Sequence, residues 1–314
     1  MAPRLFVLIL FCSLSGRPAA GSGETPQDFV TRDLLTHLTN DRAFDWNRIA
    51  SLSFPLTMRV LRQEEEADTR PLTTVARLLS VIKPASLSCG DATNAALTAG
   101  FLSDAGVTFA SSTAAPSATN AIPMRLAHCR EDLSPFETVN TLLFLCRYSP
   151  KIVGHAPDPR EVRAAFATIL ALQQADGRFT FPGLTFLGTY YLSSHALIAL
   201  YACGMSGLVV KHAQDYLWRT LYLFRYAGFL DGLAESLIFL AWTATTIVPT
   251  WATHVAFLRT RVRSDGGICF IDRSDCRSHW HTTALMAELE SLDSFLHQHG
   301  VLPSGPFTPR NTMQ

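Results

Sequence analysis

One pattern occurs twice in the chain and limits its fold more than any other feature: an amphipathic helix, an Asp-Gly turn, an aromatic residue, a loop and a more apolar helix. In the first copy, a capping box at residues 158–161 begins the amphipathic helix and Asp176-Gly177 ends it. In the second copy, the helix lies at about 250–263, the turn at 264–267 and the apolar helix at about 278–299. Each copy predicts a helical hairpin.

Weaker copies of this hairpin lie elsewhere in the chain. Apolar helices are predicted to begin near residues 91, 134, 192, 231 and 279, a spacing of about 40 to 58 residues that is typical of helical repeats. Ser193 or Ser194 is the expected N-cap of the third. Stretches that alternate apolar and polar residues are scarce, so strand signals are weak. The chain is therefore predicted to be all-α, with about five to six helical hairpins.

The first 22 residues are expected to be a signal peptide. A basic start at residues 1–4 is followed by an apolar run at 5–14 and then by small and polar residues. Cleavage is expected between about Ala20 and Gly23, which predicts a secreted protein or one in the lumen of the secretory pathway. An uncleaved anchor helix is the alternative. The helical domain is predicted to span residues 23–301, and residues 302–314 to form a flexible tail.

Six cysteines remain after the predicted cleavage, and an oxidising compartment permits disulfides among them. Cys269 and Cys276 are the easiest to join, because only six residues separate them. Cys146 and Cys203 lie in apolar helical runs, where buried thiols are the alternative to a disulfide.

The charge balance argues against nucleic acid as a partner, whereas the apolar stretches leave a membrane as an alternative. The 26 basic residues balance the 26 acidic ones, so nothing favours nucleic acid or an anionic membrane surface. Apolar stretches at 236–258 and 190–210 are long enough to span a bilayer, which makes a polytopic membrane protein an alternative. Pro249, Gly204 and Gly207 interrupt these stretches, so no membrane association is expected after signal cleavage.

Four ionisable residues are expected to form a site: His195, Asp231, Glu235 and His281. Each lies in the predicted first turns of an apolar helix, and Asp231 and Glu235 are four residues apart, on one helical face. Carboxylates beside histidines can act as acid and base or bind a metal. His279 and His281 cannot both face the same side, and His281 is preferred. The structural alternative is that Asp231 caps its helix and His195 is a core residue.

The best copy of the repeat, with Leu170, Gln174, Asp176, Gly177 and Phe179, resembles the repeat of the terpenoid cyclase and protein prenyltransferase superfamily. The resemblance implies an α/α toroid, in which inner helices surround a central cavity and functional groups cluster at the helix ends. It covers roughly residues 70–300.

Two further segments resemble motifs of the same superfamily. His279 to Thr283 is similar to the prenyltransferase segment whose histidine binds zinc, which implies a divalent metal such as zinc with His281 and Asp231 as candidate ligands. Asp231-Gly232-Leu233 is similar to the Asp-Gly-Cys segment that supplies the other ligands, but Leu233 replaces the cysteine. Residues 231–235 also match the acid motif of the triterpene cyclases at three positions of five.

These observations predict a toroid protein whose cavity site of His, Asp and Glu binds or acts on an apolar or sugar ligand. His195 and His281 are expected to flank the helix of Asp231, and at least three of the four side chains to border one pocket with aromatic walls. The alternative is a non-catalytic toroid that serves as a binding or scaffold module.

Overall fold

The computed structural model describes residues 23–40, 44–64, 67–107, 125–126, 128–129, 133–243 and 250–299. The predicted signal peptide and the predicted tail lie outside these ranges. Within them the chain forms twelve α-helices and no β-strand, so the all-α prediction is confirmed.

The helices are numbered here in chain order, with short connections between most of them. They are α1 (Pro26–Asn40), α2 (Trp46–Leu61), α3 (Arg70–Val81), α4 (Cys89–Asp104), α5 (Pro135–Arg147), α6 (Ser149–Val153), α7 (Pro159–Leu170), α8 (Phe186–Ala202), α9 (Leu208–Ala227), α10 (Leu230–Thr243), α11 (Trp251–Arg259) and α12 (Trp280–His299).

Six helices contact one another in a cycle. Helix α2 packs against α4, α4 against α5, α5 against α8, α8 against α10, α10 against α12, and α12 returns to α2. We call these six the central helices. The other helices pack on them: α9 contacts both α8 and α10, α11 contacts α10 and α12, and α1 contacts α12 and α2.

Burial separates the central helices from the others. Every residue of α10 except Phe239 is buried, and α8 is buried along most of its length. In the peripheral helix α7, only Val162 and Ile169 are buried. A helix that is apolar all round must have neighbours on every side, whereas an amphipathic helix needs only one. The predicted alternation of amphipathic and more apolar helices therefore corresponds to peripheral helices alternating with central ones.

The two Asp-Gly turns place backbone against backbone. Gly177 has φ of 91° and Gly266 has φ of 78°, a left-handed conformation that favours glycine. A Cβ atom at Gly177 would collide with the carbonyl oxygen of His212, and one at Gly266 with the carbonyl oxygen of Thr25. Both turns therefore require glycine for close approach as well as for conformation.

One predicted helix boundary is wrong. Helix α8 begins at Phe186, not near Ser193, and Thr185 is its N-cap, with the side chain accepting a hydrogen bond from the Gly188 N–H. The Ser193 hydroxyl lies inside the helix, where it accepts a hydrogen bond from the Phe179 N–H at 2.8 Å. His195 therefore lies in the middle of α8 and not in its first turn.

Three disulfides join the six cysteines: Cys89–Cys129, Cys146–Cys203 and Cys269–Cys276. The prediction for the last pair is confirmed. Buried thiols at Cys146 and Cys203 are wrong, because the neighbouring helices α5 and α8 bring the two Cα atoms within 5.0 Å of each other.

Across the ranges given above, the chain contains no helix that is both long and apolar enough to cross a membrane. The apolar stretch at 236–258 is not one helix there, since α10 ends at Thr243 and α11 begins at Trp251.

Candidate functional site

A cavity of about 120 Å³ lies among the central helices, and all six of them contribute to its wall. On each helix, the polar wall residues precede the bulky apolar ones in sequence. Seven polar side chains line it: Asn47, Ser51, Asn94, Asn140, His195, Glu235 and His281. Asn140, His195 and Glu235 lie next to one another and form a polar part of the wall, and the bulky apolar residues form an apolar part.

Four aromatic rings form much of the apolar part. The centroid of the Phe54 ring lies 5.3 Å from that of Phe101 and 5.3 Å from that of Trp242, and the Phe239 ring lies 5.6 Å from Trp242. Such mutual contacts give this part of the wall a defined shape, since edge and tilted ring pairs are favourable beyond their burial.

Asp231 is fully buried beneath the wall, and it is held by three donors. His281 Nδ1 donates to Oδ1 at 3.0 Å, Thr282 Oγ1 donates to Oδ1 at 2.6 Å, and the Tyr191 hydroxyl donates to Oδ2. Burial opposes ionisation of Asp231, but the charge of His281 and the three hydrogen bonds outweigh it and lower the pKa.

His281 is the charged partner of Asp231. Burial disfavours the imidazolium, yet the adjacent Asp231 carboxylate raises the pKa of His281 to about 9. At neutral pH the two residues form an ion pair with no net charge. Asp231 does not border the cavity, and it orients and charges the His281 ring, which does.

Glu235 is also fully buried, but it is only half satisfied. Its Oε1 accepts a hydrogen bond from the Ser194 hydroxyl, while Oε2 has no hydrogen-bond partner among the residues that the structure describes. Burial raises the pKa of Glu235 to about 8; the Asp231 charge adds to this shift, and the His281 charge opposes it. At neutral pH Glu235 is mainly a neutral acid, and it is one of the residues that line the cavity.

His195 lies beside that free oxygen. Its Nε2 is 4.0 Å from Glu235 Oε2, and its Nδ1 is 3.4 Å from Asn140 Oδ1. An amide oxygen only accepts, so Nδ1 carries the hydrogen and Nε2 offers a lone pair. Burial and the His281 charge both lower the pKa of His195, which keeps the ring neutral. About a third of this side chain, 35%, is exposed, so solvent reaches the polar part of the cavity.

The structure thus brings three of the four predicted residues to one cavity wall: His195, Glu235 and His281. The fourth, Asp231, lies behind His281. The helices that carry His195 and His281 both pack against α10, as predicted. His279 does not line the cavity, and its ring stacks on Trp280 with centroids 5.6 Å apart.

Sequence reasoning did not find the three asparagines. Asn94 and Asn140 are the sixth residues of α4 and α5, the same position that Glu235 has in α10. This shared position was the signal that could have found these two, whereas Asn47 is the second residue of α2. The hydroxyl groups of Tyr191, Ser194 and Thr282, which hold the two carboxyl groups, were also not singled out for that role.

The zinc set implied by the family resemblance does not fit these residues. Leu233 offers no donor atom, and Asp231 already accepts three hydrogen bonds. Donor atoms of Asp231, Glu235 and His281 do lie within 4.8 Å of one another. A cation there would have to displace the protons of Glu235 and His281.

Comparisons of the chain with protein-family models, with curated proteins and with solved structures give no significant match.

Proposed function

We propose that the chain is a secreted or lumenal α/α-toroid protein whose central cavity binds a small molecule and acts on it by acid–base chemistry. The ligand combines polar groups with an apolar body. The cycle of contacts among the six central helices supports the toroid. The three disulfides support a secreted or lumenal location, because disulfides persist where the surroundings are oxidising.

The observation that carries the proposal is the unpaired oxygen of Glu235. A buried polar atom without a partner is costly, and native proteins keep such atoms mainly where they have a role. Here the atom belongs to a residue that lines a cavity, and it lies 4.0 Å from Nε2 of the neutral His195. A carboxyl group whose pKa lies near neutrality is suited to donating a proton, and the lone pair of a neutral imidazole is suited to accepting a hydrogen bond.

The roles of the other residues follow from their contacts. Glu235 is the proton donor, and Ser194 fixes it by bonding to the other oxygen. His195 accepts a hydrogen bond at Nε2, because burial and the His281 charge keep its ring neutral. The Asp231–His281 pair supplies a fixed positive charge at the cavity wall that is balanced directly behind it, so it stabilises charge that develops nearby without making the cavity cationic.

The proposal is tested by binding of small probes to a cavity-filled variant. Ala284 lines the cavity, and Ala284→Leu fills it without changing a polar residue. Ala252→Leu, at an exposed position of α11, is the matched control. In ligand-observed NMR with a mixture of neutral, anionic and cationic probes, we expect binding to wild type and to the control, and loss of binding to Ala284→Leu. If no class of probe binds the wild type, the proposal is wrong.

A second candidate, a non-catalytic binding module, is favoured by the complete hydrogen bonding of Asp231 within the protein. The two candidates differ in the fate of the bound probe. An enzyme converts a suitable ligand over hours in wild type but not in Glu235→Gln, whereas a binding module leaves the NMR spectrum of every bound ligand unchanged.

A further inference from the structure

His281 offers the cavity a charged hydrogen-bond donor that nothing in the described part of the chain uses. Its Nδ1 faces the buried Asp231 at 3.0 Å, and 22% of the side chain is exposed. Its Nε2, on the other edge of the ring, has no hydrogen-bond partner among the described residues, yet it is not one of the atoms that the protein encloses. Because His281 lines the cavity, a molecule bound there can reach this atom.

Asp231 fixes the direction of that donor. Its carboxylate accepts hydrogen bonds from His281 and Thr282 of α12 and from Tyr191 of α8. The His281 ring cannot turn away without breaking a buried pair, which is costly. In the imidazolium both ring nitrogens carry hydrogen, so Nε2 donates and does not accept. A fixed, charged donor at the wall of a partly dry cavity is suited to stabilising negative charge on an oxygen atom.

The charges of the wall disfavour a ligand with a fully charged head group. Of the cavity residues that the structure describes, none is Lys or Arg, the side chains that bind phosphate and carboxylate groups best. A carboxylate would lose its hydration to meet a His281 charge that Asp231 already balances. An ammonium group would meet the accessible N–H of an imidazolium, which repels it. A neutral acceptor oxygen avoids both costs.

The apolar part of the wall suits a small ring. The rings of Phe54, Phe239 and Trp242 line it, and the His195 ring lies 5.9 Å from that of Phe239, which joins the polar part to the apolar part. An apolar cavity of about 150 Å³ holds benzene. The volume of about 120 Å³ therefore suits one small ring that carries a polar atom.

From these features, and resting on the proposed function, we infer that the ligand is a small uncharged carbonyl compound whose oxygen accepts a hydrogen bond from Nε2 of His281. Among neutral acceptors, a carbonyl oxygen is the one that gains negative charge when the group reacts, and the donor stabilises that charge. His281 keeps its proton throughout. It is a catalytic residue in contact with the ligand, and Asp231 is a positioning residue behind it.

Two probes of the same shape test the inference. Cyclohexanone has the carbonyl group, and methylenecyclohexane has a carbon atom in place of the oxygen. In the double variant Asp231→Asn/His281→Phe the donor is lost and no charge is left unpaired. One hydrogen bond to a charged donor is at stake, so we expect the ratio of ketone to alkene affinity to fall about tenfold from wild type to this variant. Asp215→Asn/His297→Phe, the same two changes at exposed positions, is the control and should keep the ratio.

Infrared spectroscopy tests the contact on the wild-type protein alone. The carbonyl stretching frequency of bound cyclohexanone should be lower than in cyclohexane solution, because a charged donor withdraws electron density from the oxygen. The ketone should also bind more tightly at pH 7 than cyclohexanecarboxylate or cyclohexylammonium. An unshifted frequency, an unchanged affinity ratio in the double variant, or tighter binding of either ion would overturn the inference but leave the proposed function standing. Absence of binding by every probe would instead count against the cavity as a binding site.

Discussion

Nδ1 of His281 lies 3.0 Å from Oδ1 of Asp231, and the two residues come from central helices that are neighbours in space but 50 residues apart in sequence. The contact joins α10 to α12. It also fixes the charge state of the cavity wall, because it determines whether the His281 ring is an imidazolium. The same contact offers the most direct test of the electrostatics of the site.

Replacing Asp231 by Asn should lower the pKa of His281 from about 9, because burial is then opposed by the charge of Glu235 alone. Loss of one partner of a buried pair should also cost about 3–5 kcal/mol of stability. NMR titration of the histidine ring measures the first effect, and chemical denaturation the second. Asp215→Asn, in an exposed pair with Lys211, is the control and should change neither. An unchanged His281 titration in D231N would contradict this account.

The pH dependence of the unfolding free energy should show that Glu235 is protonated in the folded protein. Its pKa is raised in the folded state, from 4.5 to about 8, so the folded protein holds a proton that the unfolded chain has lost. The stabilisation is complete below pH 4.5 and is lost as the pH rises to about 8, with a slope of about 1.4 kcal/mol per pH unit. His281 contributes a loss of the same sign between pH 6.5 and about 9.

The unfolding free energy of Glu235→Gln should therefore decline less than that of wild type between pH 4.5 and 8. The difference in stability between the two proteins should shift in favour of the variant as the pH rises through this range. Asp231, Ser194, His195 and His281 surround the group in both proteins. Glu24→Gln, in an exposed pair with Arg32, is the control. Parallel curves for wild type and E235Q would show that the carboxyl group is not neutral in the folded protein.

The disulfides should differ in their contributions to stability. In the chain-entropy model the benefit grows with the enclosed loop, and the separation is 57 residues for Cys146–Cys203 and 7 for Cys269–Cys276. Removing the first pair by double serine substitution should cost about 2 kcal/mol more than removing the second. Peptide mapping without reduction identifies the pairs, and a free thiol at either Cys146 or Cys203 would contradict the pairing.

Metal ions should not compete with the protons of the site. We expect Co²⁺ to give no ligand-field bands of a protein-bound ion at pH 7, and a chelator to leave the melting temperature unchanged, because Asp231 is saturated with hydrogen bonds. Stoichiometric Co²⁺ binding that disappears in E235Q would reverse this conclusion and restore a metal centre.

Most helix starts could be predicted, because their signals are local. Ser88 and Ser134 each cap a helix by accepting a hydrogen bond from the third residue that follows, and the predicted starts lie within two residues of those observed. Helix α8 was different, since Gly188 and the aromatic residues after it weaken its first turns. Packing of Tyr190 against Phe224, with centroids 4.5 Å apart, outweighs those propensities.

Only part of the site could be predicted from the sequence. Asp231 and Glu235 could be paired because one helical turn joins them, but the hydrogen bonds from Tyr191 and Ser194 depend on how α8 lies against α10. The Cys146–Cys203 disulfide depends in the same way on the contact between α5 and α8. No periodicity within one segment encodes the register between two helices, so these hydrogen bonds and this disulfide could not be predicted.

The shared wall of the cavity has an evolutionary consequence. Each central helix contributes at least two side chains, and these six contributions are far apart in the chain. Ligand preference is therefore divided among six separate mutational targets. Exchange of one hairpin between related genes would renew about a sixth of the wall and leave the rest unchanged, so selection could adjust the shape of the apolar part without touching Glu235 or His195.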